Sequence, residues 1–193
     1  EKPQLYLSLL DPAGAAPGLD DLRDHPLLAE LGLPADDLLE VIRKASRLKM
    51  AVRGWVAEEH LRRFLAGLPG VVACDPLDGD GQPDLLVRYR EFAPFRVECK
   101  NVLRQRNAAG QAVLDFQRTR ASKADPCSRY YAPSDFEVVA ACLHAVEETW
   151  TFRFAATEKL PAHAKCVGKL KSSLAIGDGW AQDPMTVLGL SNG

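Results

Sequence analysis

Two charged residues planted in an otherwise apolar strand constrain this chain more than any other feature. The run Phe95-Arg96-Val97-Glu98-Cys99-Lys100-Asn101-Val102 keeps apolar Phe95, Val97, Cys99 and Val102 around Glu98 and Lys100. Glu98 and Lys100 are two residues apart, so in a strand both side chains leave one face. Charges in the middle of a sheet are costly unless they are paired or bound to a cation. Thirteen residues separate Glu98 from Asp84, which opens a second strand-like run (DLLVRYR), and the tight Glu91-Phe92-Ala93-Pro94 connection joins the two as a hairpin. Neighbouring strands bring Asp84 beside Glu98.

Two carboxylates and an ammonium in one cluster supply what phosphodiester hydrolysis requires. Hard oxygens can hold Mg²⁺, and a cation stands near the attacking water and the developing phosphorane charge. A Glu-x-Lys strand is ordinarily a solvent-facing pair, and Pro-Asp is ordinarily a turn. The apolar residues around this pair decide for the functional reading.

The rest of the chain reads as an α/β protein in the order α-β-β-β-α-β-β, a mixed central sheet flanked by helices. Residues 1–50 form an N-terminal arm and accessory helix, and 51–193 the main domain. The arm is rich in Pro, Gly and Asp. Pro34-Ala35-Asp36-Asp37 starts a helix with acids in its first turn, and a second helix runs from about Val52 to Leu68. Val71 to Cys74 is a short strand, and Asp75 to Gly81 a turn-rich loop. A helix is expected over Gln111–Lys123. Phe136–Leu143 is almost continuously apolar, as in a strand covered on both faces, and Thr149–Ala155 alternates as its neighbour. The tail is read as irregular.

Composition narrows the class. Of 193 residues, 47% are hydrophobic and 26% charged, which excludes disorder. The net charge of −2 is not that of a strongly basic nucleic-acid binder. Five scattered cysteines without a Cys-x-x-Cys argue against a disulfide scaffold and a zinc ribbon. No signal-peptide pattern and no stretch near the roughly 18 apolar residues of a membrane span is present, so a reduced, cytoplasmic location and no membrane partner are expected. Partner domains outside this chain and a homodimer are left open.

These pieces together resemble the PD-(D/E)XK nuclease superfamily, the restriction-endonuclease-like fold, over roughly residues 52–155. The shared order is a helix with a Glu, a strand opening with Pro-Asp, a strand with Glu-x-Lys, a helix, then an apolar strand. Arg53-Gly54-Trp55-Val56-Ala57-Glu58-Glu59 is similar to the Gly-x-x-x-Glu helix of archaeal Holliday-junction resolvases and Mrr-type restriction enzymes. The resemblance implies a Mg²⁺- or Mn²⁺-dependent endonuclease acting on nucleic acid, with double-stranded DNA the expected substrate. It places the metal on Asp84, Glu98, the Cys99 carbonyl and Glu58, with Glu59 as the alternative helix carboxylate. Lys100 orients or helps deprotonate the water, and Gln117 is a further catalytic candidate in competition with Gln111. Restriction or defence is the expected setting. Junction resolution, repair, or a catalytically silent DNA-binding module of the same fold are the alternatives.

Residues 100–131 hold seven basic against two acidic side chains, whereas the first fifty hold six against nine. Arg104, Arg106, Arg118, Arg120 and Lys123 are therefore expected to grip a phosphate backbone. Tyr130-Tyr131 is read as packing at a sheet edge in preference to base stacking. Asp78-Gly79-Asp80-Gly81 lacks the downstream Glu of a calcium loop and reads as a turn. His144, His163 and Cys166 form a weak zinc candidate.

Overall fold

The structure, a computed structural model, describes residues 25–79, 81–118 and 122–190. The chain divides into two units, Glu1–Arg53 and Gly54–Gly193.

In the first unit, α1 (Pro26–Leu31) is capped by the His25 side chain, which accepts from the Leu27 N–H, and it stops at Gly32 in the left-handed region. Helix α2 (Ala35–Lys44) carries Asp36 and Asp37 in its first turn and Arg43 and Lys44 in its last, matching the helix dipole at both ends. Neither helix buries a residue. Helix α3 (Ser46–Ala66) begins before Val52, the expected start, and the break between α2 and α3 falls at Ala45.

The second unit is a five-stranded mixed sheet in the order β1-β2-β3-β5-β6. Its strands are β1 (Val71–Pro76), β2 (Leu85–Tyr89), β3 (Phe95–Asn101), β5 (Val138–Cys142) and β6 (Phe152–Ala156). All neighbours are antiparallel except β3 and β5, which run parallel. β5 is buried at every position, as its unbroken apolar run requires. α3 lays Ala57, Leu61 and Leu65, one stripe at i, i+4, i+8, on the sheet face formed by Leu85, Val87, Val97, Cys99, Val138, Ala140 and Phe154. The opposite face, with Val139, Ala141 and Ala155, carries Leu114, Phe116, Tyr131, Phe136 and Leu174.

One expected element is not formed. The stretch expected as a helix over Gln111–Lys123 is instead β4 (Val113–Asp115), paired antiparallel with β7 (Ser173–Ala175). Ala112, Leu114 and Phe116 are buried while Val113 and Asp115 between them are not, a period of two that fits a strand and no helix. Gly110, at φ +76°, closes the preceding turn with its N–H donating to the Asn107 carbonyl at 2.9 Å. Short 3₁₀ turns follow at Pro126–Arg129 and Thr157–Lys159. The tail is more regular than expected. Besides β7 it holds α5 (Pro184–Leu188), while α4 (His144–Glu147) is a single turn after β5.

The cysteine reading is also corrected. Cys127 and Cys166 form a disulfide across a sequence separation of 39, and Cys74, Cys99 and Cys142 are free and buried. Cys166 is thereby removed from the zinc candidate. His163 uses Nδ1 to accept from the Cys166 and Lys165 N–H groups and stacks on Tyr130. No described helix is long and apolar enough to cross a membrane.

Candidate active site

The hairpin register sets the centre of the site. Leu85 pairs with Val97 across β2 and β3, so Asp84, one residue before the strand, stands beside Glu98. Asp84 Oδ2 accepts from the Cys99 backbone N–H at 2.7 Å, which ties the end of one strand to the middle of the next. Val97 and Cys99 point toward α3, so Glu98 and Lys100 project to the opposite face, above the β5 partners Val139 and Ala141.

On that face Glu98 is buried, 5% exposed. A lone carboxylate there would carry a heavy desolvation cost, and two donors offset it. Lys100 Nζ lies 2.5 Å from Glu98 Oε1, and the Tyr131 hydroxyl donates to the same oxygen at 2.5 Å. Tyr131 is itself buried, stacked at a tilt on Phe116 (4.8 Å between centroids) and edge-on to Phe136 (5.1 Å). Lys100 Nζ and the Arg118 guanidinium both approach its ring, 5.7 and 5.2 Å from the centroid. Arg118 is held in turn by Asp135 at 2.7 Å.

The electrostatics follow from this crowding. Burial, then the charges of Glu98 and Glu58, push Asp84 up to about 7, against the pull of Lys100 and the Cys99 N–H. Burial alone would lower the Lys100 pKa, but the Glu98, Tyr131 and Asp84 groups outweigh it and hold the ammonium above the ordinary lysine range. Burial and the Glu98 charge likewise raise the Tyr131 phenol, so it stays a donor at neutral pH. Burial also pushes the Cys99 thiol well up.

The two candidate helix carboxylates differ in surroundings. Glu59 is committed to Arg62 and Arg63 at 2.8 and 2.7 Å, whereas the charge of Glu58 reaches Asp84 and Cys99. Among the described residues, no three His, Cys, Asp or Glu side chains come together as a ready metal-ligand group.

The remaining candidates are dispersed. Gln117 is half-buried just past β4, not on a helix, and Gln111 is occupied by Asn107, which donates to its Oε1 at 3.1 Å. Arg104 and Arg106 are exposed on the loop after β3, and Lys123 is exposed on the loop after β4. Arg118 is inside the cluster just described, and Arg120 lies outside the described residues. The basic residues are thus not one helix face. Tyr131, expected at a sheet edge, is instead an interior partner of Glu98. Only its apolar surroundings were readable, since the partner lies 33 residues away.

No family model matches the chain, and no curated protein matches it. Among solved structures it is similar to a bacterial homing endonuclease, I-Ssp6803I, at 20% identity and a TM-score of 0.46, over 66% of this chain and 78% of that one.

Proposed function

We propose that the chain is a divalent-cation-dependent endonuclease of the PD-(D/E)XK type that hydrolyses phosphodiester bonds in double-stranded DNA, in restriction or defence. The observation that carries this reading is the joining of Asp84, Glu98 and Lys100 across β2 and β3 in a cluster short of positive charge, with Asp84 pushed up to about 7 by burial and two neighbouring carboxylates.

That shortage is what a hard cation would relieve, and the oxygen donors present suit Mg²⁺ or Mn²⁺. Asp84 and Glu98 would hold it, with the Cys99 carbonyl and Glu58 as further donors. With no ready three-side-chain group among the described residues, water would fill the other positions, as Mg²⁺ commonly allows. The bound ion would supply a polarised phosphate and a water of lowered pKa. Lys100, whose Nζ lies 2.5 Å from Glu98 Oε1, would orient the water or help deprotonate it and set a positive charge beside the developing phosphorane. Asp84, through the Cys99 N–H, keeps the two strands in register while this happens. Water is the nucleophile, and no covalent intermediate forms.

The test is cleavage of supercoiled plasmid, linear DNA, branched DNA and RNA, each with Mg²⁺ or EDTA. Cutting of DNA with Mg²⁺, lost in EDTA and in Glu98→Gln, is expected. A preference for branched DNA would move the setting to junction resolution or repair. Failure to cut any substrate overturns the reading. One observation favours a second reading, a module that binds DNA without cutting it: Glu98 Oε1 is already saturated by Lys100 and Tyr131. Duplex binding without turnover in the same assay would select it.

A further inference from the structure

We propose that Tyr131 is a positioning residue of this site: its hydroxyl, with Lys100, clamps Oε1 of Glu98 and leaves Oε2 as the oxygen offered to a divalent cation. The proposal rests on the cation-dependent reading above.

A glutamate has three side-chain torsions and is a poor fixed ligand unless something holds it. Here both short contacts, from Tyr131 and Lys100, converge on Oε1 at 2.5 Å each. Oε2 forms no hydrogen bond among the described residues and is not one of the sealed, unpartnered polar atoms, which are Arg118 Nε and Thr157 Oγ1. The carboxylate is thus divided into a held end and an open end. The phenol is itself fixed. Phe116 and Phe136 grip its ring, the Leu170 N–H donates to its carbonyl at 2.8 Å, and the Arg118 guanidinium, paired to Asp135, lies against its π-system. A packing tyrosine requires none of the alignment between hydroxyl and carboxylate seen here. Partners that orient metal-holding side chains in this way are typically worth about 10- to 100-fold in metal affinity or activity.

Tyr131→Phe removes the hydroxyl and keeps the ring. Mn²⁺ binding to the full chain without DNA, followed by electron paramagnetic resonance, should show a Kd raised about tenfold or more, together with a lower thermal midpoint, because buried Glu98 loses one of its two donors. Phe136→Leu is the control. It loosens the same ring packing with the hydroxyl in place, so it should lower the midpoint and leave the Mn²⁺ Kd within about twofold of wild type. Three outcomes overturn the proposal: no Mn²⁺ binding by the wild-type chain, an equal Kd in Tyr131→Phe, or an equal rise in Phe136→Leu. A wild-type chain that binds Mn²⁺ and cuts no DNA defeats the nuclease reading alone, and the Kd comparison still decides the role of Tyr131.

Discussion

The Asp84 carboxylate accepts the backbone N–H of Cys99 at 2.7 Å, so the first acid of the cluster is anchored to the strand that carries the second. The bond makes Asp84 part of the sheet's register as well as of the site. It does not remove the cost of burying this carboxylate, nor that of placing it beside Glu98 and Glu58, which is why Asp84 sits near 7 and not near its ordinary 3.8.

That shift gives a pH dependence of stability with a definite sign. The folded state holds a proton on Asp84 up to about 7 whereas the unfolded chain releases it near 3.8. Between those values the folded state binds more protons, so stability falls as pH rises through the window, and the loss is complete above about 7. Without divalent cations, thermal midpoints should therefore favour Asp84→Asn over wild type at pH 8, with the advantage shrinking toward pH 5. A wild-type chain more stable than Asp84→Asn at pH 8 would contradict the crowding argument.

Added Mg²⁺ or Mn²⁺ should reverse that order. A cation that binds only the folded chain stabilises it by mass action, about 2.7 kcal/mol at one hundred times Kd. Wild type should gain in thermal midpoint at pH 8, and Asp84→Asn and Glu98→Gln should gain little. Ca²⁺ should give the same shift with little cleavage, since its looser geometry suits binding more than turnover. Calorimetry that finds equal Mg²⁺ binding in wild type and both variants would remove the metal from these residues.

The hairpin was legible because two signals coincide in it: a period of two, and charges where a strand should be apolar. β5 was legible for a different reason, an unbroken apolar run that suits a strand covered on both faces. Segment 111–123 was misread because Gln, Ala and Leu are good helix formers, while the pairing of Val113–Asp115 with Ser173–Ala175 lies some sixty residues away and overrides that preference. The Tyr131–Glu98 bond spans 33 residues and the Cys127–Cys166 bridge 39. Such contacts are made by loop closure, and no local spacing announces them.

The bridge itself makes a prediction. Closing a loop with a sequence separation of 39 costs the unfolded chain entropy worth about 4 kcal/mol in the chain-entropy model. Reduction, or a Cys127→Ser, Cys166→Ser pair, should lower the unfolding free energy by an amount of that order while far-UV signal is kept at low temperature. Thiol labelling of the native, unreduced chain should find Cys127 and Cys166 unreactive. Labelling of both without loss of stability would show that the bridge is not part of the native protein.

The basic residues now separate into two kinds, and salt dependence tells them apart. Arg104 and Arg106 are exposed on the loop after β3 and share a surface depression with Glu147 and Glu148. Arg118 is tied to Asp135 and lies over Tyr131, so its charge is already used inside the protein. If the exposed pair grips the phosphate backbone, replacing both with Ala should weaken duplex binding for every sequence alike. Each phosphate left without its arginine should also take about 0.9 from the slope of log affinity against log salt. Glu147→Gln, which leaves Arg106 with less opposing charge, should strengthen binding and leave the slope nearly unchanged. Arg118→Ala should behave differently, lowering the thermal midpoint because Asp135 and the Tyr131 ring are deprived of their partner, with little change of slope. Fluorescence anisotropy with a labelled duplex in Ca²⁺, at several salt concentrations, reads all of these. A slope unchanged by the Arg104, Arg106 double replacement would move the nucleic-acid surface away from this loop, and a slope that follows Arg118 would mean its pairing with Asp135 opens when DNA binds.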